Sequence, residues 1–358
     1  MTFEEARAQF PVFERFAYLN AGSFGPLATS VVEAMSREQQ RALIEGRVNS
    51  AMFDELFDLR AQVRERFAAV LGVPTEHVAL TTSTTDACNV VLNGLGLGPD
   101  DEVVTTDAEH FGLIGALAVS EATVRVARVR DRPADAALDA ILAEVTPRTR
   151  LIGLSHVNWV NGHVLPWREA KEATGLPIVV DGAQSVGAVK VDARAADFYT
   201  VSGQKWLCGP DLTGALYVRE PELLRISIPS YLSQQTYDLV EGTFEPREGA
   251  ARFDTHFTPF STKRGLLAAF ELHPEWGYQR AAETAARCRE LLAERFEVLT
   301  EPGHSTLVTF RYDDAAEAVK RLFEEGVIVR DIPGSEVLRA SCGWWTSDDD
   351  VERLLDAL

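Results

Sequence analysis

The sequence predicts an α/β protein, with a large domain on a mainly parallel sheet and a smaller α+β domain after it. Three observations carry that prediction. Short apolar runs of strand type alternate with helical stretches through most of the chain, and strands joined by helical crossovers run parallel. The pattern changes near Arg252. The 358 residues are 46% hydrophobic, which is ordinary globular composition with material for a large core and about two domains.

Taken in order, Phe53 to Leu71 has apolar residues at helical spacing. His77–Thr82 reads as a strand, Ser83–Thr85 as a small polar turn, and Ala87–Leu92 as the start of a helix. Further strands are expected at Glu102–Thr106, Val124–Val129, Thr149–Leu154, Ile178–Val180, Phe198–Val201 and Ala215–Val218. Beyond Arg252 the reading is a helix from Arg264 to Phe270 continuing to Trp276, and another from Ala281 to Phe296. Strand Ser305–Phe310, helix Ala315–Glu325, strands Val327–Arg330 and Val337–Ser341, and helix Asp348–Leu358 complete the chain. Three aspartates at the start of that last helix suit the positive end of its dipole. Residues 1–20 are expected to pack on the small domain, 21–250 to form the large domain and 251–358 the small one. The segment from Pro229 to Arg252, with Tyr231, Tyr237 and Phe244, reads equally as a substrate lid or a dimer contact.

Composition excludes several function classes. Lys and Arg number 35 against 54 Asp and Glu, a formal charge of −19. Such a surface repels phosphate backbones and anionic lipid, so neither nucleic acid nor membrane is expected as a partner. Cys88, Cys208, Cys288 and Cys342 are widely spaced and form no CxxC pair, as expected of reduced thiols in a cytoplasmic protein. The N-terminal stretch lacks the apolar core of a signal peptide, and no run approaches a membrane span. No metal site is expected: His156 and His163 lack metal-motif spacing. Gly94, Gly96 and Gly98 precede a strand instead of following one, so they are no dinucleotide fingerprint.

Two segments carry the chemistry. Ile178–Val180 is an apolar strand ending in Asp181, Gly182, Ala183 and Gln184, and ligands of parallel sheets sit at carboxyl ends of strands. Val201–Pro210 runs from a strand into small residues and a single lysine, Lys205, among apolar neighbours. A helix-capping aspartate and a surface lysine are the ordinary readings of each segment alone. Partial burial of the lysine would lower its pKa and make the amine nucleophilic. Pyridoxal 5′-phosphate (PLP) needs an amine for its aldehyde, a carboxylate for its pyridine nitrogen, a phosphate cradle and a flat group against its ring. Lys205 and Asp181 supply the first two.

The stretches VDGAQSVGAVKVD (180–192), SGQKWLCGP (202–210), TTDAEH (105–110) and LSHVNWVNGHVLP (154–166) resemble the class V aminotransferase family of fold type I PLP-dependent enzymes. The resemblance covers nearly the whole chain, from Tyr18–Gly22 onward. It implies a seven-stranded sheet in the large domain and a homodimer with shared active sites. It further implies that Lys205 carries the cofactor as a Schiff base and moves the Cα proton. Asp181 pairs with the pyridine nitrogen, Gln184 bonds the phenolic oxygen and His110 stacks on the ring. Thr84, Thr85 and Ser202 cradle the phosphate, Gln204 stands where the family often has histidine, and Thr258 reaches the phosphate of the other subunit. Arg339 matches the arginine that clamps the substrate carboxylate. Asn158 and Trp159 both stand where the family has a cofactor or substrate contact, and either could supply it.

Within the family, the SH-x-x-W-x-x-G-x-VLP, KW-x-x-GP and R-A-x-C patterns resemble the cystine or cysteine C–S lyases and their desulfurase-like relatives. Arg330–Glu336, where a desulfurase carries its mobile cysteine, has none. The expected reaction is therefore α,β-elimination at a Cβ–S bond of an amino acid, with isopenicillin-N-epimerase-like racemisation or transamination as alternatives. A PLP-fold binding module without turnover is the reading from another class; Lys205, Asp181 and Arg339 argue against it.

Overall fold

The computed structural model describes residues 1–358. Helix α1 (Phe3–Arg7), strand β1 (Ala17–Tyr18) and two long helices, α2 (Thr29–Glu45) and α3 (Met52–Leu71), come first. The central layer is then laid down as β2 (Val78–Thr81), α4 (Thr84–Leu95), β3 (Glu102–Thr106), α5 (Phe111–Ala118), β4 (Thr123–Ala127) and α6 (Ala137–Ala143). It continues through β5 (Thr149–Ser155), α7 (Trp167–Thr174), β6 (Ile178–Asp181), β7 (Phe198–Ser202) and β8 (Gly214–Val218). A hairpin, β9 (Gln234–Asp238) and β10 (Thr243–Pro246), leads to α8 (Phe260–Phe270) and α9 (Gly277–Ala293). The chain closes with β11 (Leu307–Arg311), α10 (Ala315–Glu324), β12 (Val327–Ile328), β13 (Arg330–Asp331), β14 (Val337–Ser341) and α11 (Asp348–Ala357).

Seven strands form one sheet in the order β2-β8-β7-β6-β5-β3-β4. Five of them, β7 through β4 in that order, run parallel; β8 is antiparallel to both β7 and β2. Strand residues point alternately to the two faces, and the packing shows it. Val104, Ile152, Val180 and Tyr199 join the core beneath α3, α6 and α7. Their neighbours Val103, Leu151, Val179 and Phe198 join the core beneath α4 and α5. Such two-sided burial explains why these strands read as continuous apolar runs.

A three-stranded antiparallel sheet, β11-β14-β13, forms the smaller C-terminal layer. The N-terminal segment packs on it: Ala17 and Tyr18 pair with Val327 and Ile328, and Arg7 bridges Asp350 at 2.8 Å. Helix α8 packs against α2 and α3. Two local expectations are corrected. Helix α8 ends at Phe270 and does not reach Trp276, because Pro274 lacks an N–H and disfavours helical backbone in the residue before it. The expected strand 327–330 is two strands, one pairing with β1 and the other with β14. Within the 229–252 segment, residues 234–246 form a largely exposed hairpin, β9–β10, a form compatible with a lid and with a dimer contact alike.

Buried polar groups tie strand ends together. His156, 8% exposed, meets the Tyr199 hydroxyl at 2.6 Å, and that hydroxyl meets Ser185 Oγ at 2.6 Å. Burial, then the nearby Arg168, lowers the His156 pKa to about 4. The unfolded chain therefore binds this proton first. His156 contributes stability above about pH 6.5 that is lost as pH falls through about 4, an effect of order 3 kcal/mol. A His156→Gln variant should show a shallower decline in melting temperature between pH 6.5 and 4 than the parent. Equal slopes would dismiss this assignment.

Candidate active site

The carboxyl ends of β6 and β7 deliver Asp181 and Ser202, and the loop after β7 delivers Lys205. Asp181 is 2% exposed. Its Oδ1 accepts from Ala183 N at 2.9 Å and Thr200 Oγ1 at 3.4 Å, while Oδ2 makes no hydrogen bond within the chain. Lys205 Nζ has no carboxylate within salt-bridge distance. Burial lowers its pKa to about 8; Asp181 opposes the shift, and Arg339 and Arg330 add to it. At neutral pH such an amine is unprotonated roughly 300 times more often than one titrating at 10.5. The loop is held from two sides. Gly25 N donates to Gln204 O at 2.8 Å, and a Cβ on Gly25 would stand 2.0 Å from Lys205 O. Cys208 takes a left-handed φ of 55°, a strained setting for a residue with a side chain.

An anion cradle faces this pair. Thr84 begins α4, and its N–H donates to Ser202 Oγ at 3.4 Å. The start of α5 converges on the same place: a Cβ on Gly112 would lie 2.6 Å from Thr85 Oγ1. Two helix N-termini and three hydroxyls suit a phosphate. His110 caps α5, its Nδ1 accepting from Gly112 N at 3.2 Å, so Nε2 carries the proton of the neutral ring. Burial and then Lys205 lower its pKa. The exposed ring meets Trp159 edge-on, with centroids 5.3 Å apart.

Arg339, fully buried on β14, donates through Nη1 to Trp159 O at 2.8 Å, while Nε and Nη2 have no partner. Burial and then Arg330 lower its pKa to about 9. Arg330 is paired directly opposite Arg339 in the β13–β14 ladder. It donates to Ser23 Oγ at 3.0 Å and lies 5.6 Å from the Trp159 ring centroid. Neither arginine forms a salt bridge. Gly22 makes room for Arg339, since a Cβ there would lie 2.7 Å from Nη2.

The structure thus gathers Thr84, Thr85, His110, Asp181, Ser202, Lys205, Trp159 and Arg339 into one region. Gln184 is engaged inside the chain: Nε2 donates to Gly22 O at 2.8 Å and Oε1 accepts from Trp206 Nε1 at 3.0 Å. One amide hydrogen stays free for a phenolic oxygen. Gln204 Oε1 and Asn158 Nδ2 are buried without partners. Thr258 lies outside the cluster, partly exposed beside Phe257, with its carbonyl accepting from Lys263. Two residues escaped the sequence reading. Arg330 opens the cysteine-free stretch 330–336, and nothing in that stretch alone marks it. Glu109 precedes His110 and is buried under the site, accepting from Thr106 Oγ1 at 2.8 Å and Ser155 N at 2.9 Å. Burial raises its pKa to about 7. Its adjacency to His110 was the available signal. No group of three His, Cys, Asp or Glu side chains is placed to hold a metal, and no helix is long and apolar enough to cross a membrane.

A free carboxylate oxygen, a low-pKa amine, an anion cradle and an exposed flat ring fit a phosphorylated pyridine aldehyde. Two outcomes follow. Cofactor-free protein should gain its absorbance with PLP at a rate that rises with pH and levels off near pH 8; a rise continuing beyond pH 10 would contradict a depressed Lys205. Gly22→Ala should displace Arg339 and raise KM for the amino acid several-fold while leaving the absorbance band in place; an unchanged KM would show that the close approach is immaterial.

Residues 18–354 match the model of the aminotransferase class-V family. The chain is 30% identical to isopenicillin N epimerase of Streptomyces clavuligerus, over 99% of this chain and 97% of the relative. It is 30% identical to a cysteine desulfurase of Haloferax volcanii, over 82% and 77%. A solved structure of the cystine C–S lyase C-DES, in complex with its reaction product cysteine persulfide, superposes with a TM-score of 0.89. Its identity is 28%, covering 97% of this chain and 98% of that one. The cysteine desulfurase CsdA of Escherichia coli shares the fold, with a TM-score of 0.84 at 24% identity over 100% and 97%. With family model, fold and site geometry in agreement, this chain belongs to the class V aminotransferases and is a PLP-dependent enzyme.

Proposed function

We propose that the enzyme is a lyase for α,β-elimination at a Cβ–S bond of a cysteine- or cystine-type amino acid, giving pyruvate, ammonia and a sulfur product. The supporting observation is a depressed-pKa amine beside two arginines that no carboxylate neutralises. Cystine brings a carboxylate at each end.

Bound PLP supplies an electron sink for negative charge at the substrate Cα. Lys205 Nζ takes the Cα proton. Asp181 Oδ2 would hold the proton of the cofactor's pyridine nitrogen, and the neutral His110 ring would lie against its heterocycle. Arg339 grips the α-carboxylate through Nε and Nη2, a fork that fixes the substrate's orientation. Arg330 meets a second anionic group. Loss of the Cβ–S bond sends its electron pair to sulfur, and water then frees pyruvate and ammonia.

Enzyme-borne persulfide transfer is disfavoured by the thiols themselves. Cys88, Cys208, Cys288 and Cys342 are all buried, and burial raises the pKa of Cys88 and Cys208 well above the ordinary value. A buried, protonated thiol is a poor nucleophile. Epimerisation stands as the second reading, supported by the whole-length match to isopenicillin N epimerase. The homodimer with shared sites also stands as a proposal: exposed Phe24 and Phe257 flank the glycine strap and Thr258.

The test is a substrate screen of the holoenzyme with L-cystine, L-cysteine and thioether conjugates, scored separately for pyruvate, other oxo acids and inverted product. Pyruvate with a stoichiometric sulfur product supports the lyase; inversion without pyruvate sinks it. Arg339→Lys should raise KM roughly tenfold to a hundredfold, the loss of one or two charge-assisted hydrogen bonds. Lys205→Ala should lower kcat at least about a hundredfold.

A further inference from the structure

The reaction leaves one buried carboxyl without a role. Glu109, 9% exposed, lies in the loop between β3 and α5, one residue before His110. Its Oε1 accepts from Thr106 Oγ1 at 2.8 Å, and its Oε2 accepts from Ser155 N at 2.9 Å and from Ser155 Oγ. No lysine or arginine offsets its charge.

The sheet register sets Glu109 beside the cofactor carboxylate. Ser155 on β5 is paired with Asp181 on β6, and Asp181 with Thr200 on β7. Register partners turn their side chains to the same face, on strands about 4.8 Å apart. A row therefore runs across the strand ends: Glu109 on Ser155, then Asp181, then Thr200, whose Oγ1 meets Asp181 Oδ1 at 3.4 Å. The titratable groups facing Glu109 are Asp181 from β6 and Cys88 from α4, and both are acids. Neighbouring carboxylates with no cation between them resist ionising together.

The hydrogen bonds admit a proton on Glu109 without losing a partner. When ionised, Oε2 accepts from Ser155 Oγ. When protonated, Oε2–H donates to the same oxygen, since a hydroxyl serves in either role. Ser155 N and Thr106 Oγ1 donate in both states. Burial outweighs these donors and Asp181 adds to it, so the carboxyl titrates at about 7 and not in the ordinary acidic range. A modest change in nearby charge is enough to switch its state.

We propose that Glu109 is a positioning residue for the cofactor ring: it stores a proton beside Asp181 in the cofactor-free protein and releases it to solvent when the protonated pyridine nitrogen settles on Asp181. The incoming cation removes the repulsion that kept Glu109 neutral. By linkage, the ionised Glu109 strengthens the hold of Asp181 on the ring proton by the same factor. This role goes beyond the elimination reading and serves any reaction of the site.

The direct test is an infrared difference spectrum of the full chain, PLP-bound minus cofactor-free, near pH 6, with glutamate 13C-labelled at Cδ. One labelled protonated-carboxyl band should disappear on binding and a carboxylate band should replace it. Glu109→Gln, which keeps the shape and the neutral charge, should lack the change. A PLP analogue with its ring nitrogen replaced by C–H should leave the band in place. In parallel, the PLP dissociation constant of the parent should tighten about tenfold more than that of Glu109→Gln between pH 6 and 9, because Glu109 is already ionised at the higher pH. The proposal is overturned by a cofactor-free protein without the protonated band, by a band that survives PLP or that the carbon analogue removes equally well, or by parallel pH profiles of parent and variant. If Glu109→Gln does not fold, the labelled parent with the two ligands decides alone. No readout involves turnover, so the elimination reading and this one can fail separately.

Discussion

Unpaired positive charge around a single buried carboxylate is the constraint on which the site depends. Lys205, Arg330 and Arg339 all lie within electrostatic reach of one another, and Asp181 is the only acid that offsets them at Lys205. Elsewhere the chain is acidic, and most of its arginines find carboxylates. Here the acceptors are neutral: the Trp159 carbonyl for one arginine and the Ser23 hydroxyl for the other. Two guanidinium groups facing each other across a strand pair repel, and the repulsion is relieved when anions enter. Burial is the larger cause of the lowered proton affinity of Lys205 and His110, and the same field adds to it, so the depressed amine and the unneutralised arginines reinforce one another.

The scaffold makes that charge tolerable by fixing it from several directions. The parallel sheet sets Asp181 and Ser202 on adjacent strand ends, where two-sided packing leaves the backbone little freedom. The smaller sheet brings the arginines in from the opposite side. Glycines at 22 and 25 let one short strap pass close enough to touch both, since any side chain there would collide with Arg339 or with the Lys205 carbonyl. The setting of Arg339 and that of the Lys205 loop thus share one piece of chain.

Much of this was legible in the residues. Apolar runs ending in Asp181 and in Ser202 gave both strands and site, because ligands of such sheets sit where strands end. Helix α4 was harder to bound: Thr84 and Thr85 read as turn residues, yet Ser83 caps the helix and Thr84 opens it. Arg330 was missed for a physical reason. Its importance comes from standing opposite Arg339 on a neighbouring strand, and register between short strands is not written in either one alone. Glu109 was missed because a buried carboxyl and a surface carboxyl look alike in sequence. The hairpin at 234–246 was likewise hidden, since its strands are exposed and lack an alternating apolar face.

Strand β8 lies between β2 and β7, antiparallel to both, so Val78 waits for Tyr217 before its backbone hydrogen-bond ladder can form. Pairing across so long a stretch of chain gives the large domain a high contact order, and folding of such topologies is slow. During synthesis the β2 edge stays open until about three-fifths of the polypeptide has emerged. An unpaired edge is the surface on which chains misassociate, so the nascent enzyme is most at risk of aggregation before β8 arrives.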